Sequence, residues 1–469
     1  MSCKLLIFLL LFPIFVVMAK GLTTEEKLSF LFDELKDLKK ENKELRKEID
    51  RLNNRLSKYE TPKNSSNSSK PPSSDFPKQR NNNSLRKPSG KKPGGQKGRK
   101  GNTLKMVAKP DKIEEYTPNY CPLCGRDLTS LPAGLVGSRQ VIDIPAVQPI
   151  VTEHRVYQKQ CTCSHCIQGS FPSGINTPVS YGPGVLSLVA YLNARQYIPI
   201  KRAVEMLNHI FNLSISTGGV SYLLNKITDK AQPALEAIRQ QVLGSSVIGA
   251  DETGVNINGK NHWAWTFQNE KATYIAVHPS RGVAAIEAIM PEGFEDSILV
   301  TDCWRAYFKF GAMNHQLCLA HLQRDLLYLK QRFPNNTWIN KIDALIRNAL
   351  LLHKNQQVTK EKVEEVQRSF VLLLEEPITN KDLKELITFQ KRLVKYQDYI
   401  FGFLSNPQIP PDNNGSERAV RNFKVKQKVS GFFKSDIGSQ IYATLRSIID
   451  TAIKNNQNPY QVMRLLAKC

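Results

Sequence analysis

Apolar positions follow several periods along this chain. From Leu28 they step alternately by three and four through Leu31, Leu35, Leu38, Asn42, Leu45, Ile49, Leu52, Leu56 and Tyr59. Such a heptad sets Leu28, Leu35, Ile49 and Leu56 on one seam position and Leu31, Leu38, Leu45 and Leu52 on the other. It predicts a coiled coil over 23–60. Asn42 is the polar seam residue, a device that fixes register in parallel pairs at some cost in stability. An amphipathic helix packed on the body is the plainer reading, but unbroken heptads favour a homodimer or higher oligomer.

Ahead of the heptads, Leu5 to Met18 is a nearly unbroken apolar run behind Lys4. It has the look of a signal-peptide core and falls short of the roughly 20 residues a spanning helix needs. We read 1–22 as an apolar leader, with a true start nearer Met18. Membrane association is the minor alternative. Behind the coiled coil, 61–112 is rich in Ser, Asn, Pro and Gly and cannot bury a core. It predicts a disordered linker that turns basic at Lys91, Lys92, Lys97, Arg99 and Lys100.

The helical period returns over 176–240. Ile200 to Phe211 has apolar residues on one face, Asn212 to Ser216 makes a turn, and Ser216 caps a helix through Val220, Leu223, Leu224 and Ile227. This is the outline of a helix-turn-helix, though any two-helix corner has it too. From Ser245 strands take over. Ser245 to Asp251 is a short buried strand ending in a carboxylate, and 262–267 and 273–278 are two more. Gly282 to Met290 is a helix, and Ser297 to Asp302 a fourth strand, again ending in an aspartate. Three meandering strands, a helix and a further strand suit a ribonuclease-H-like sheet, with the two acids on adjacent strands. Helical pattern resumes from about 333 to 405, and 436–469 is a helical tail.

Composition narrows the partners. A formal net charge of +23 over 469 residues asks for a large polyanion, and double-stranded DNA is the leading candidate. Nine cysteines, an odd number, argue against a disulfide framework and for metal binding in a reducing compartment. Cys121-Pro-Leu-Cys124-Gly is a knuckle turn. Some forty residues on, Cys163 and Cys166 restore the same spacing, while Cys161 and His165 leave that ligand pair open. Four such ligands make a closed structural zinc site within a module over 113–175.

The third acid is Glu417, in the first turn of a helix after Pro410-Pro-Asp-Asn-Asn-Gly. Arg418 and Arg421 stand beside it, Arg421 one turn on. Cys318, His321 and Arg324 share one side of a helix. They are either a core cysteine with surface partners or a set in which His321 and Arg324 contact a scissile phosphate.

Taken together, several motifs are specific. They are Gly249-Ala-Asp251-Glu-Thr-Gly, Thr301-Asp302-Cys-Trp-Arg-Ala-Tyr307, His315-Gln-Leu-Cys-Leu-Ala-His321-Leu-Gln-Arg324-Asp325 and Asp412-Asn-Asn-Gly-Ser-Glu417-Arg418-Ala-Val-Arg421. With the basic linker, the knuckle and the tail Ile449-Asp-Thr-Ala-Ile-Lys, the chain resembles transposases of the insertion sequence 66 family from Leu22 onward. The resemblance implies a DNA transposase of the three-carboxylate (DDE) type, with Asp251, Asp302 and Glu417 as the catalytic triad. The same acids would hold Mg²⁺ or Mn²⁺. In that chemistry paired divalent ions activate the nucleophile and stabilise the leaving oxygen, and oxygen ligands suit them. Zn²⁺ would be structural.

The expected fold class is therefore multidomain α+β. It comprises an N-terminal coiled coil, a zinc-binding module, a helical, helix-turn-helix-like DNA-binding region and a ribonuclease-H-like α/β catalytic domain (241–435) with a helical insertion (333–405). Expected DNA contacts are Lys91, Lys92, Lys97, Arg99, Lys100, Arg324, Arg418 and Arg421. Partners are element ends, target DNA and accessory proteins of the same element, in a cytoplasmic, nucleoid-associated protein. Rival readings are a transposase-derived regulator without activity and a nuclease without strand transfer.

Overall fold

The computed structural model describes residues 23–60, 62–64, 67–68, 98, 103–378 and 383–468. The leader 1–22 and the linker cations Lys91, Lys92, Lys97, Arg99 and Lys100 lie outside the described residues.

Helix α1 (Thr24–Glu60) runs 37 residues. Thr23 and Glu26 form a reciprocal cap at its start, the Glu26 carboxylate accepting from the Thr23 backbone N–H at 2.8 Å and the Thr23 hydroxyl accepting from the Glu26 N–H at 3.4 Å. Among the described residues its heptad apolar side chains stay open to solvent: Leu28, Leu35, Leu45, Ile49, Leu52 and Leu56 are each about half exposed.

Between 103 and 182 regular structure is limited to one hairpin, β1 (Gln158–Gln160) with β2 (Cys166–Gln168), antiparallel and solvent-facing. Beyond it the chain packs densely. Helices α2 (Pro183–Ala190), α3 (Ile200–Phe211), α4 (Thr217–Lys230) and α5 (Gln232–Leu243) lead into a five-stranded sheet. Its strands are β3 (Val247–Ile257), β4 (Lys260–Gln268), β5 (Thr273–His278), β6 (Phe294–Thr301) and β7 (Ala312–Leu317), in the order β5-β4-β3-β6-β7. The first three form an antiparallel meander, while β6 and β7 add on parallel to β3. Helix α6 (Val283–Ile289) is the crossover between β5 and β6.

The pleat of β6 separates two cores. Leu299 faces a cluster formed with α2 to α6, whereas Ile298 and Val300 face a second one. The second core is built by α7 (Leu319–Arg332), α8 (Thr337–Lys354), α9 (Lys360–Glu375), α10 (Lys384–Lys395) and α11 (Gly402–Ser405). Then come α12 (Asn414–Ser430), α13 (Asp436–Lys454) and α14 (Pro459–Lys468).

Three features differ from the sequence reading. Strand β3 does not stop at Asp251 but continues to Ile257, because it pairs with β4 as far as Ile257↔Lys260. Strand β7 had no sequence signal. The segments 176–240 and 436–469, read as a separate region and a tail, share one core with the sheet. There the Ser447 hydroxyl accepts from the Ile275 N–H at 2.9 Å, fastening α13 to β5.

Candidate active site

Register alone brings the two aspartates together. The parallel pairing of β3 with β6 ends at Gly249↔Val300, so Asp251 and Asp302 each stand two residues beyond the last pair. Alternation along β3 then sorts neighbours by face. Gly249 and Asp251 point one way, and Glu252, opposite Trp265 on β4, points the other.

The N-terminus of α12 lies against the Gly249 face. A Cβ at Gly249 would come within 2.7 Å of Asn413 Oδ1 and 2.8 Å of Ser416 Oγ, so only glycine permits this approach. Asn413 fixes the docking: its side-chain amide donates to the Ala250 carbonyl at 2.6 Å, and its backbone N–H donates to Cys318 Sγ at 3.2 Å. One turn on, Glu417 stands near enough for its charge to raise the pKa of both aspartates.

Both aspartates resist ionisation. Burial, then the charges of Glu252, Asp302 and Glu417, push Asp251 well above the usual carboxylate range. Burial and the Glu252 charge push Asp302 up to about 6, opposed by the Trp304 N–H, which donates to its Oδ1 at 2.9 Å. No cationic side chain forms an ion pair with Asp251 or Asp302 among the described residues. Glu417 differs: Arg324 Nη2 lies 3.4 Å from both its oxygens and His321 Nδ1 lies 3.6 Å from one. Burial, then the Arg324 charge, lower the His321 pKa.

Cys318 is buried at the N-cap of α7, and burial pushes its thiol up to about 12. Cys318, His321 and Glu417 have ligand atoms within 4.8 Å of one another, the one such group among the described residues. His321 and Arg324 thus both converge on Glu417. Of the other cations, Arg418 and Arg421 are exposed. Lys424 and Lys426, which continue the basic run in sequence, turn inward. Lys426 is buried and donates to the Asn193 and Ile198 carbonyls at 3.1 and 3.3 Å.

The helical corner forms as its residues dictate. Asn212 ends α3 in the left-handed region, and the Ser216 hydroxyl caps α4 by accepting from the Gly219 N–H at 3.0 Å. In the cysteine-rich region, Gly125 closes the Cys121–Cys124 turn onto the Cys121 carbonyl at 2.9 Å. Hydrogen bonds from Cys124 and Leu123 lower the Cys121 thiol pKa. Bonds from Cys163, first, lower that of Cys161.

Comparison with family models places the chain. A model of the transposase IS66 family matches residues 178–441, more than half of the chain and all three acids. The chain belongs to the IS66 transposase family. A zinc-finger binding domain of the same transposases matches residues 118–166, so this transposase carries a zinc-binding domain, and a family of unknown function (DUF6444) matches 20–105. A comparison with curated proteins returned no match. No helix among the described residues is long and apolar enough to cross a membrane.

Four residues of the transposase's site went unread in sequence: Glu252, Arg281, Tyr307 and Asn413. Period-two alternation turned Glu252 away from Asp251, and Arg281 sits far off in sequence. Trp265 is core, and Trp263, packed against the same core, stacks on Arg281 at 4.7 Å.

Proposed function

We propose that this transposase binds the ends of its element, cleaves the DNA there and joins the freed 3′-hydroxyl to target DNA, with Asp251, Asp302 and Glu417 as the acids of a ribonuclease-H-like domain. The supporting observation is that three carboxylates, from β3, the end of β6 and α12, lie near enough for their charges to act on one another, with no ion pair to either aspartate among the described residues. Hard oxygen donors of this kind fit Mg²⁺ or Mn²⁺. When bound, such ions supply the charge that activates the nucleophile and stabilises the leaving oxygen.

The chain's own residues do the rest. Arg324 holds Glu417 in place, and Arg418 and Arg421, exposed beside it, grip backbone phosphates. The α3–α4 corner is the candidate groove reader, with the 61–112 linker lying along phosphates. The test is cleavage and strand transfer of labelled element-end DNA in Mg²⁺ or Mn²⁺. Binding without product in every condition would overturn the reading.

The exposed leucine stripe of α1 supports a homodimer or higher oligomer through a coiled coil. Replacing Leu38 and Leu45 together with Lys is expected to shift the protein to monomer in sedimentation experiments. An unchanged oligomer would remove α1 as the interface.

For zinc, repeated CxxC spacing supports Cys121, Cys124, Cys163 and Cys166, with Cys161 as competitor through its bond to Cys163. Cys121→Ser and Cys166→Ser are expected to lose the bound equivalent of zinc by elemental analysis, and Cys161→Ser to keep it. The reverse order for Cys161 and Cys166 would exchange their roles.

A further inference from the structure

Glu252 is a fourth carboxylate beside the three acids, and both its oxygens are taken. Arg281 donates to Oε1 from Nε and Nη2 at 2.9 and 2.8 Å, and the Tyr307 hydroxyl donates to Oε2 at 2.5 Å. The Glu252 side chain is only 2% exposed, and that of Arg281 43%. Arg281 is itself held by two indoles, stacking on Trp263 at 4.7 Å and Trp304 at 4.6 Å. Trp304 and Tyr307 pack edge to face at 5.6 Å, and Trp265 lies against both.

Two members of this cluster, Trp304 and Tyr307, fall on the short loop that carries Asp302. The loop leaves β6 at Thr301, presents Asp302 and reaches Trp304, whose N–H bonds the Asp302 carboxylate at 2.9 Å. It ends at Tyr307. Arg281 grips the loop at one point and Tyr307 at another, and both attach to Glu252 on the central strand. The loop's one regular element is the 3-10 turn Tyr307–Lys309, and within the loop the Tyr307 N–H donates to the Trp304 carbonyl at 3.2 Å.

We infer that Glu252 is a positioning residue: clamped by Arg281 and Tyr307, it ties the 302–307 loop to β3 and so sets Asp302 opposite Asp251. With both oxygens engaged, Glu252 stays outside the metal-binding set. This rests on the reading of Asp251, Asp302 and Glu417 as divalent-ion ligands. Partners that orient ligating carboxylates act without touching the ion, and their loss typically costs 10- to 100-fold in metal affinity.

The test uses the full-length, zinc-loaded protein and Mn²⁺ alone, with free Mn²⁺ followed by electron paramagnetic resonance. Glu252→Gln and Arg281→Gln are each expected to weaken Mn²⁺ binding about 10-fold with the number of bound ions unchanged. Arg281→Lys, which keeps the charge, is expected to recover part of the loss. A clamp acting through Asp302 also predicts non-additivity: in the Asp302→Asn background, adding Glu252→Gln costs nothing further. A full repeat of the tenfold loss in that background would overturn the inference, as would loss of an ion in Glu252→Gln, which would make Glu252 a ligand. The three-acid reading fails differently, if Asp302→Asn binds Mn²⁺ as the unaltered protein does.

Discussion

Asp302→Asn is expected to abolish metal-dependent cleavage, by about a thousandfold or more, while making the metal-free protein more stable. The two effects share one cause. Burial and Glu252 raise the Asp302 pKa from 3.8 to about 6. The folded protein therefore keeps a proton there that the unfolded chain has already lost. Stability falls as pH rises through roughly 4 to 6, and the full penalty applies above that window. Two units correspond to about 3 kcal/mol, which the neutral amide removes. Melting curves in EDTA at pH 7.5 should show the variant several degrees above the unaltered protein. Mg²⁺ should raise the melting temperature of the unaltered protein and barely move that of the variant. Equal melting temperatures in EDTA would mean that the buried carboxylate carries no such strain.

Gly249→Ala should be nearly as damaging without touching a carboxylate. The added methyl meets Asn413 Oδ1 and Ser416 Oγ, both polar atoms without a hydrogen-bond partner. They belong to the turn and helix start that carry Glu417, so overpacking would push α12 off β3 at a cost of about 1–3 kcal/mol. A shift of about 1 Å in a catalytic group can cost about a hundredfold in rate. The expected result is a folded, DNA-binding protein with cleavage reduced at least to that extent. Gel-shift and cleavage assays on the same preparation separate the two. Full activity would show that Glu417 tolerates a displaced helix.

Much of this site was legible from local chemistry. Asp251 and Asp302 stood out because apolar runs delivered a carboxylate at the same point of two strands. Ser216 was readable as a cap because its hydroxyl does what a cap must do. Strand β7 was not legible. Its Gln316 looks polar, yet it is buried, donating to the Ile400 carbonyl and accepting from the Phe403 N–H. Those partners lie more than eighty residues away, in the helical insertion. Lys426 is another case, a lysine with no sequence sign of burial whose amine finds the distant Asn193 and Ile198 carbonyls. Glu252 and Arg281 are the functional counterpart: their meaning comes from a pairing that strand periodicity cannot encode.

The placement of Glu417 also bears on when the protein becomes competent. More than a hundred residues separate it from Asp302, and the helices of the second core fill most of that interval. Helix α13, which covers β5, follows later still. At synthesis rates of about 5–20 residues per second, a nascent chain carries both aspartates for several seconds before the third acid leaves the ribosome. During that time it is already basic but has an incomplete set of acids. On the three-acid reading, a truncated product ending between Asp302 and Glu417 would share this condition, and its expected behaviour is to compete for DNA with the full-length transposase without cutting it.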